Sequence, residues 1–202
     1  MRETGCVVAG VDEVGRGAWA GPVVAGAVIL DPEYRIKKAR DSKLMKASDR
    51  LRLAVRIRRH AIASGVGVAT LEEVNQYGLS WAIKQSGLRA IEALGQRPDR
   101  VLLDGHYNYF PNDLPCDTMI DGDAHELCIA TASIIAKVHR DGLMAELDER
   151  FPGYHLASNK GYGTMAHRRA IEKLGVAEIH RTGWRPIAAA MQAAISVPLL
   201  EV

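Results

Sequence analysis

Two apolar segments rich in β-branched residues, residues 6–12 and Val23–Leu30, lie on either side of a glycine-rich stretch near the start of the chain. β-Branched residues favour strands, and glycine and proline end them, so the pattern predicts an antiparallel pair of strands. Further segments follow along the chain. We predict strands at 65–70, Arg100–Asp104 and 118–120, and helices at 49–63, 79–94, 131–150, Met165–Leu174 and 186–195.

This order, strands first and then strands alternating with helices, predicts the α/β class: a central mixed β-sheet flanked by helices, followed by a C-terminal helical portion. A chain of 202 residues is typical of one domain. We therefore expect a single domain over residues 1–202, with about 152–202 as a helical extension.

The composition excludes several classes of protein. The N-terminal apolar segment is too short for a signal peptide, and no apolar run has the length of a membrane span. The three cysteines are widely spaced without a CxxC pair, so neither a disulfide framework nor a zinc site is indicated. We expect a monomeric cytoplasmic protein that makes no contact with membranes.

The net charge is only +2, but basic residues are concentrated in two stretches. Residues 33–60 contain eleven Lys/Arg and three acids, and residues 158–185 contain six Lys/Arg and two acids. Two basic stretches suit a polyanionic ligand such as a nucleic acid. A solvated helix face would account equally well for either stretch alone.

Carboxylates recur where predicted strands end. Asp12 and Glu13 follow the first strand, Asp104 ends a later one, and Asp121 and Asp123 follow a third apolar segment. A lone acid there is more often a cap or turn residue, but if the strands are neighbours these acids meet at one edge of the sheet. Carboxylates so gathered repel one another unless a cation is bound, and oxygen donors favour Mg²⁺ or Mn²⁺. Such a site typically performs phosphoryl transfer.

The adjacent pair of acids raises a geometric difficulty, because successive side chains of a regular strand point to opposite faces. Asp12 and Glu13 can face one site only if the strand stops being regular there. We expect Gly15 and Gly17 to permit that break, since glycine tolerates positive φ.

Several motifs, in order along nearly the whole chain, carry a resemblance. They are DEVGRG after VAGV, DSK at 41–43, LLDG at 102–105, GD at 122–123, ASIIAKVHRD at 132–141 and NKGYGT at 159–164. The sequence resembles the type 2 ribonuclease H family, in particular bacterial ribonuclease HII. The resemblance implies a ribonuclease H-like fold and a metal-dependent endonuclease. Its implied substrates are the RNA strand of RNA–DNA hybrids and single ribonucleotides embedded in duplex DNA, cut on their 5′ side.

The resemblance also implies roles for individual residues. Asp12, Glu13, Asp104 and Asp123 look like the catalytic metal ligands, with Asp121 a rival only two residues from Asp123. The other matches are to substrate-binding positions. Gly15, Arg16 and Gly17 match a loop that reads the ribonucleotide, Tyr162 matches a tyrosine at the ribose–deoxyribose junction, and Lys43, Ser133 and Lys137 match contacts to the phosphate backbone.

Other interpretations remain open at this point. Tyr162 could be a core aromatic residue, Lys43 a solvated residue, and the Ser133 hydroxyl could bond back to its own helix. The chain could also be a different metal-dependent nuclease or strand-transfer enzyme, or a nucleic-acid binding module without catalysis, although the last would leave the acids unexplained. The C-terminal segment ISVPLLEV shows no convincing sliding-clamp peptide, so recruitment stays open.

Overall fold

The computed structural model describes residues 5–33, 36 and 45–195. The predicted Lys43 lies outside these residues. The elements, in chain order, are β1 Val8–Val14, β2 Val23–Leu30, α1 Ala47–His60, β3 Ala61–Ala69, α2 Leu71–Tyr77, α3 Leu79–Glu92, β4 Arg100–Asp104, β5 Cys116–Met119, α4 Gly122–His125, α5 Leu127–Arg150, α6 Leu156–Asn159, α7 Met165–Leu174 and α8 Arg185–Ile195.

The five strands form one mixed sheet in the order β3-β2-β1-β4-β5. β1 pairs antiparallel with β2, which pairs antiparallel with β3, whereas β4 runs parallel to both β1 and β5. The predictions of an antiparallel first pair and of an α/β domain with a mixed sheet are confirmed. β1 and β4, which carry three of the four candidate metal ligands, are neighbours.

The structure corrects the predicted bounds around the third strand. α1 ends at His60, and β3 begins at the next residue, so the helix predicted over 49–63 is too long. Ala61 and Ala63 instead pair with Leu30 and Ile29 of β2, and this sheet pairing outweighs the helical spacing of the apolar residues. The sequence interpretation also missed α2, which begins with a capping box between Thr70 and Glu73.

Two helices cover the sheet. α3 packs on one face, with a core that includes Val11, Ala27 and Ala90. α5 packs on the other face, where Gly10 and Gly26 lie directly beneath it. A Cβ at Gly26 would collide with the backbone carbonyl of the helix at Ala132, so the absence of a side chain allows the close approach. This approach determines which residues of α5 reach the sheet.

The C-terminal helices α6, α7 and α8 pack beside the far end of α5. Their shared core contains Met144 of α5, Ala20 from the loop after β1, and Ile171, Ile179 and Ile187. The loop after β1 is therefore built into the C-terminal part of the protein, although the two are far apart in sequence. Within residues 5–33, 36 and 45–195, no helix has the length and apolar character needed to cross a membrane.

Substituting the glycine beneath α5 is expected to cost stability. Gly26→Ala forces a methyl group against the Ala132 carbonyl and should lower the free energy of unfolding by about 1–3 kcal/mol. Gly142→Ala is the matched control, because Gly142 lies in α5 with open space around its Cβ position. There alanine should raise stability by about 0.5–1 kcal/mol. Urea unfolding of both variants measures the difference, and equal effects would contradict the close approach.

Candidate active site

Asp12 is a buried carboxylate in the interior of the sheet. It lies on β1 opposite Gly26 of β2, is 7% exposed, and shares a hydrogen bond with the side chain of Ser133 on α5. Its pKa is raised to about 8, mainly by burial and also by the charges of Glu13, Asp104 and Asp123, while the Ser133 hydrogen bond opposes the shift. Asp12 therefore lies where negative charges from several elements converge.

The predicted break in the strand at Asp12 is wrong. β1 continues to Val14, and Glu13 pairs with Ala25 in regular register. Alternation then places Asp12 towards α5 and Glu13 towards the α3 face, beside Ile83 and Phe110. The side chains of Asp12 and Glu13 therefore do not point to one face, because pairing with β2 keeps the backbone of β1 regular at both residues.

Glu13 nevertheless lies within the influence of the other acids. Its pKa is raised to about 7, mainly by burial and also by the charge of Asp104, while the charge of Arg16 opposes the shift. An Arg16 guanidinium nitrogen lies 3.8 Å from a Glu13 carboxylate oxygen. Asp104 follows Leu103, the β4 partner of Val11, so alternation directs it to the α5 face with Asp12. Its charge raises the pKa of both Asp12 and Glu13.

The structure distinguishes the two candidates for the fourth acid. Asp123 is buried on the short helix α4, and its charge raises the pKa of Asp12. Asp121 is exposed and has a left-handed backbone at the N-cap of α4. Asp104 holds this segment, because one of its carboxylate oxygens accepts a hydrogen bond of 2.7 Å from the Gly122 N–H. The geometry favours Asp123, the choice that the motif also favours.

The fit of a divalent cation rests on the chemistry of these donors. Asp12, Glu13, Asp104 and Asp123 offer only carboxylate oxygens, which suit Mg²⁺ or Mn²⁺, and burial leaves Asp12 and Glu13 poorly compensated as anions. In the described part of the chain, however, no three His, Cys, Asp or Glu side chains are grouped closely enough to hold a metal. The donor types nevertheless fit a hard divalent cation.

Two buried arginines hold the loop that follows β1. Arg140 of α5 donates hydrogen bonds to the carbonyls of Ala20, Pro22 and Lys160 at 2.8–3.2 Å. Arg181 donates to the carbonyls of Arg16, Gly21 and Pro22 at 3.0–3.1 Å. Both side chains are fully buried, and burial together with the charge of Arg140 lowers the pKa of Arg181 to about 9. Sequence reasoning did not assign these roles, because only the tertiary contacts show them.

The glycines of this loop have different roles. Gly15 has a φ of 98°, and a Cβ there would collide with the Arg140 guanidinium, so only glycine suits the position. Gly17 is exposed, and the atom nearest to its missing Cβ belongs to the Tyr162 ring, 4.0 Å away. Tyr162 is 37% exposed, which rules out a core position, and its ring lies 5.8 Å from the guanidinium carbon of Arg140. Gly17 and Tyr162 thus face each other at the surface.

The predicted phosphate contacts have partners within the protein. The Ser133 hydroxyl bonds to Asp12 rather than only to its own helix. The Lys137 ammonium lies 2.6 Å from an Asp141 carboxylate oxygen, and Asp141 also lies 3.9 Å from Arg50. Ser133 and Lys137 lie four positions apart on α5, on the face that meets Asp12. Their contacts to phosphate stay predictions.

Comparisons with known proteins concern the chain as a whole. The family model described as Ribonuclease HII matches residues 9–187. A ribonuclease HII of Caulobacter vibrioides is 46% identical over 189 residues, covering 93% of this chain and 88% of the relative.

Solved structures show the same fold. The ribonuclease H2 of Pyrococcus horikoshii OT3 matches with a TM-score of 0.79 at 21% identity, covering 94% of this chain and 99% of the other. Bst-RNase HIII in complex with Mn²⁺ matches with a TM-score of 0.69 at 19% identity, covering 94% of this chain and 70% of the other. The expected ribonuclease H-like fold is confirmed.

The raised pKa of Asp12 predicts an unusual dependence of stability on pH in metal-free protein. In the unfolded chain Asp12 ionises near its ordinary value of 3.8, but in the folded protein only near 8, so wild-type stability falls as the pH rises between them. Asp12→Asn removes this cost and keeps an acceptor for Ser133. In EDTA, the melting temperature of Asp12→Asn should exceed that of wild type by about 2–4 °C for each kcal/mol of ionisation cost that the substitution removes. The difference should grow as the pH rises to about 8.

Asp121→Asn, at an exposed carboxyl of the same region, is the control and should follow the wild-type pH profile. Equal melting temperatures for Asp12→Asn and wild type at pH 8 would contradict the buried position of Asp12.

Proposed function

The chain belongs to the ribonuclease HII family and is an endoribonuclease, and from this premise we propose that it is a divalent-metal-dependent nuclease that cuts 5′ of ribonucleotides embedded in duplex DNA. We propose that it also cuts the RNA strand of RNA–DNA hybrids, leaving 3′-OH and 5′-phosphate ends. The observation that carries the proposal is that the charges of Asp104 and Asp123, from two other segments, act on the buried Asp12, whose strand runs into a glycine loop opposite the exposed Tyr162.

The acids supply the metal site. Asp12, Glu13, Asp104 and Asp123 would hold Mg²⁺ or Mn²⁺, and the Mn²⁺ complex of a structural neighbour supports this choice of ion. When bound, the ions would supply the Lewis acid that activates the attacking water and stabilises the leaving 3′ oxygen. Burial of Asp12 and Glu13 strengthens their interaction with a cation, since little water competes for their oxygens.

The loop after β1 selects the sugar. At the exposed Gly17, the nearest atom to a Cβ position is in the Tyr162 ring at 4.0 Å, so a 2′-OH can approach the backbone of Arg16 and Gly17 closely. Gly15 contributes to the same loop by leaving room for the Arg140 guanidinium that shapes it. The exposed Arg16 guanidinium can bind phosphate, and Tyr162 can pack on the sugar at the ribose–deoxyribose junction. Arg140 and Arg181 keep the loop carbonyls turned inwards, which leaves the opposite side of the loop for substrate.

The basic residues set the path of the duplex. Lys137 and Ser133 lie on one face of α5 beside Asp12, and we place the phosphate chain of the cut strand along that face. Lys43 lies outside the described residues, and we propose for it the same phosphate contact that the family resemblance implies. We also propose that the protein acts as a monomer in the cytoplasm. We further propose that its C-terminal portion, residues 152–202, contacts the substrate.

Cleavage-site mapping tests the proposal directly. We expect a duplex with one embedded ribonucleotide to be cut once, immediately 5′ of it, in Mg²⁺ or Mn²⁺ and not in EDTA. Asp104→Asn should abolish cleavage, because it removes a ligand charge, while retaining hybrid binding and the acceptor for the Gly122 N–H. Asp121→Asn should retain activity as the matched control. Scattered cuts, or turnover by Asp104→Asn, would contradict the proposal.

A methyl group at Gly17 tests whether substrate passes between this residue and Tyr162. Gly17→Ala places a methyl group towards the Tyr162 ring, where substrate is proposed to lie. We expect kcat/KM on the single-ribonucleotide duplex to fall by about 100-fold, since small displacements of a reacting group are costly. Its free energy of unfolding should change by less than about 0.5 kcal/mol.

Gly183→Ala, at another exposed glycine with open space around it, should change neither property. Full activity of Gly17→Ala would show that substrate does not pass between Gly17 and Tyr162.

A further inference from the structure

Two histidines are fully buried behind Tyr162, and the proposed chemistry uses neither of them. His167 lies on α7 and His180 in the turn before α8, and both are 0% exposed. Their rings stack with centroids 5.3 Å apart, and the two Nε2 atoms lie 3.2 Å from each other. A contact of this length between ring nitrogens requires one to donate and the other to accept.

The surrounding backbone decides which ring donates. His167 Nδ1 lies 3.0 Å from the Tyr162 carbonyl, which can only accept, so Nδ1 carries the proton. A neutral ring has one N–H, so His167 Nε2 must accept from His180 Nε2–H. His180 Nδ1 lies 3.0 Å from both the N–H and the carbonyl of Ala177, so it finds a partner whether or not it carries a proton. In the tautomer that His167 imposes, His180 Nδ1 is bare and accepts from the Ala177 N–H. The hydrogen bonds therefore run in one direction, from Ala177 through both rings to Tyr162.

The surroundings keep this pair neutral. Burial lowers the pKa of both histidines. For His180, burial and the neighbouring His167 together lower the pKa to about 4, against an opposing effect of the hydrogen bond with Ala177. Arg181, with its buried guanidinium, follows His180 directly in sequence. Near pH 7 the pair is uncharged, so the contact between His167 Nδ1 and the Tyr162 carbonyl sets the direction of the hydrogen bonds.

The chain of hydrogen bonds ends at the residue that faces Gly17. The Tyr162 carbonyl also accepts from the Thr164 N–H at 2.7 Å, and the Tyr162 N–H donates to the Asn159 carbonyl at 3.0 Å. The backbone of Tyr162 is thus held on both sides, and His167 supplies the one side-chain donor among these contacts. Because the backbone of Tyr162 is fixed, the Cα from which its exposed ring extends towards Gly17 is also fixed.

We propose that His167 and His180 are positioning residues, which use opposite tautomers to hold the Tyr162 carbonyl and so keep its ring in place for a ribonucleotide-containing duplex. The role for substrate rests on the function proposed above for Tyr162. The tautomers follow from the hydrogen bonds alone and are tested separately.

The first experiment measures the tautomers in the full-length, metal-free protein. Long-range ¹H–¹⁵N spectra of the imidazole rings near pH 7 should show His167 protonated on Nδ1 and His180 on Nε2. Identical tautomers, or a charged ring on either residue, would overturn the proposal. This result does not depend on nuclease activity.

The second experiment tests the positioning of Tyr162. His180→Leu removes the donor to His167, whose ring can then move its proton to Nε2 and lose the bond to Tyr162. We expect kcat/KM on a single-ribonucleotide duplex to fall about tenfold. His180→Gln, whose amide nitrogen replaces Nε2–H, should restore most of it. In a Tyr162→Ala background, His180→Leu should cause no further loss.

Ile171→Ala is the matched control, because it removes buried apolar atoms from the same core cluster and carries no hydrogen-bonding group. Measured below the melting temperature of every variant, it should leave kcat/KM unchanged. An equal loss in Ile171→Ala and His180→Leu, or additive losses for His180→Leu and Tyr162→Ala, would overturn the positioning role. If the wild-type protein did not cut at ribonucleotides, the proposed function would be wrong. The tautomer assignment would still be decided by the NMR measurement alone.

Discussion

The loop after β1 depends on two guanidinium groups that have no access to water. Arg140 and Arg181 are fully buried, and each donates three hydrogen bonds to backbone carbonyls, five of the six on residues 16–22. A buried charge is costly unless its donors are satisfied, so any other conformation of the loop would leave these donors unpaired. The loop therefore has one favoured shape, and glycine at position 15 leaves room for the guanidinium that sets it.

The same helix joins this loop to the acids. α5 approaches the sheet closely over Gly10 and Gly26, and its side chains then contact two parts of the site: Ser133 reaches Asp12, and Arg140 reaches the loop. The two residues lie seven positions apart on one helix, about two turns, so they share a face. The distance between the acids and the loop is thereby set by a rigid element.

Electrostatics opposes ionisation of all the acids together. Burial makes Asp12 and Glu13 costly to ionise, and each lies close enough to Asp104 for repulsion to add to that cost. The strand directs them to opposite faces, and Glu13 interacts with Arg16. A divalent cation would reverse this balance, because it converts mutual repulsion into shared attraction. On the function proposed above, a bound cation would supply the positive charge that these acids lack.

The sequence by itself determined the alternation of strands and helices, the acids near the ends of the strands and the glycines of the loop, because β-propensity, turn chemistry and charge are local properties. It did not determine that β1 remains regular through Glu13, that β3 begins at Ala61, or that Asp123 rather than Asp121 is buried. Those outcomes depend on pairing with β2 and on packing beneath α5. The buried arginines and the histidine pair were decided only by the tertiary structure, since their partners lie up to 165 residues away along the chain.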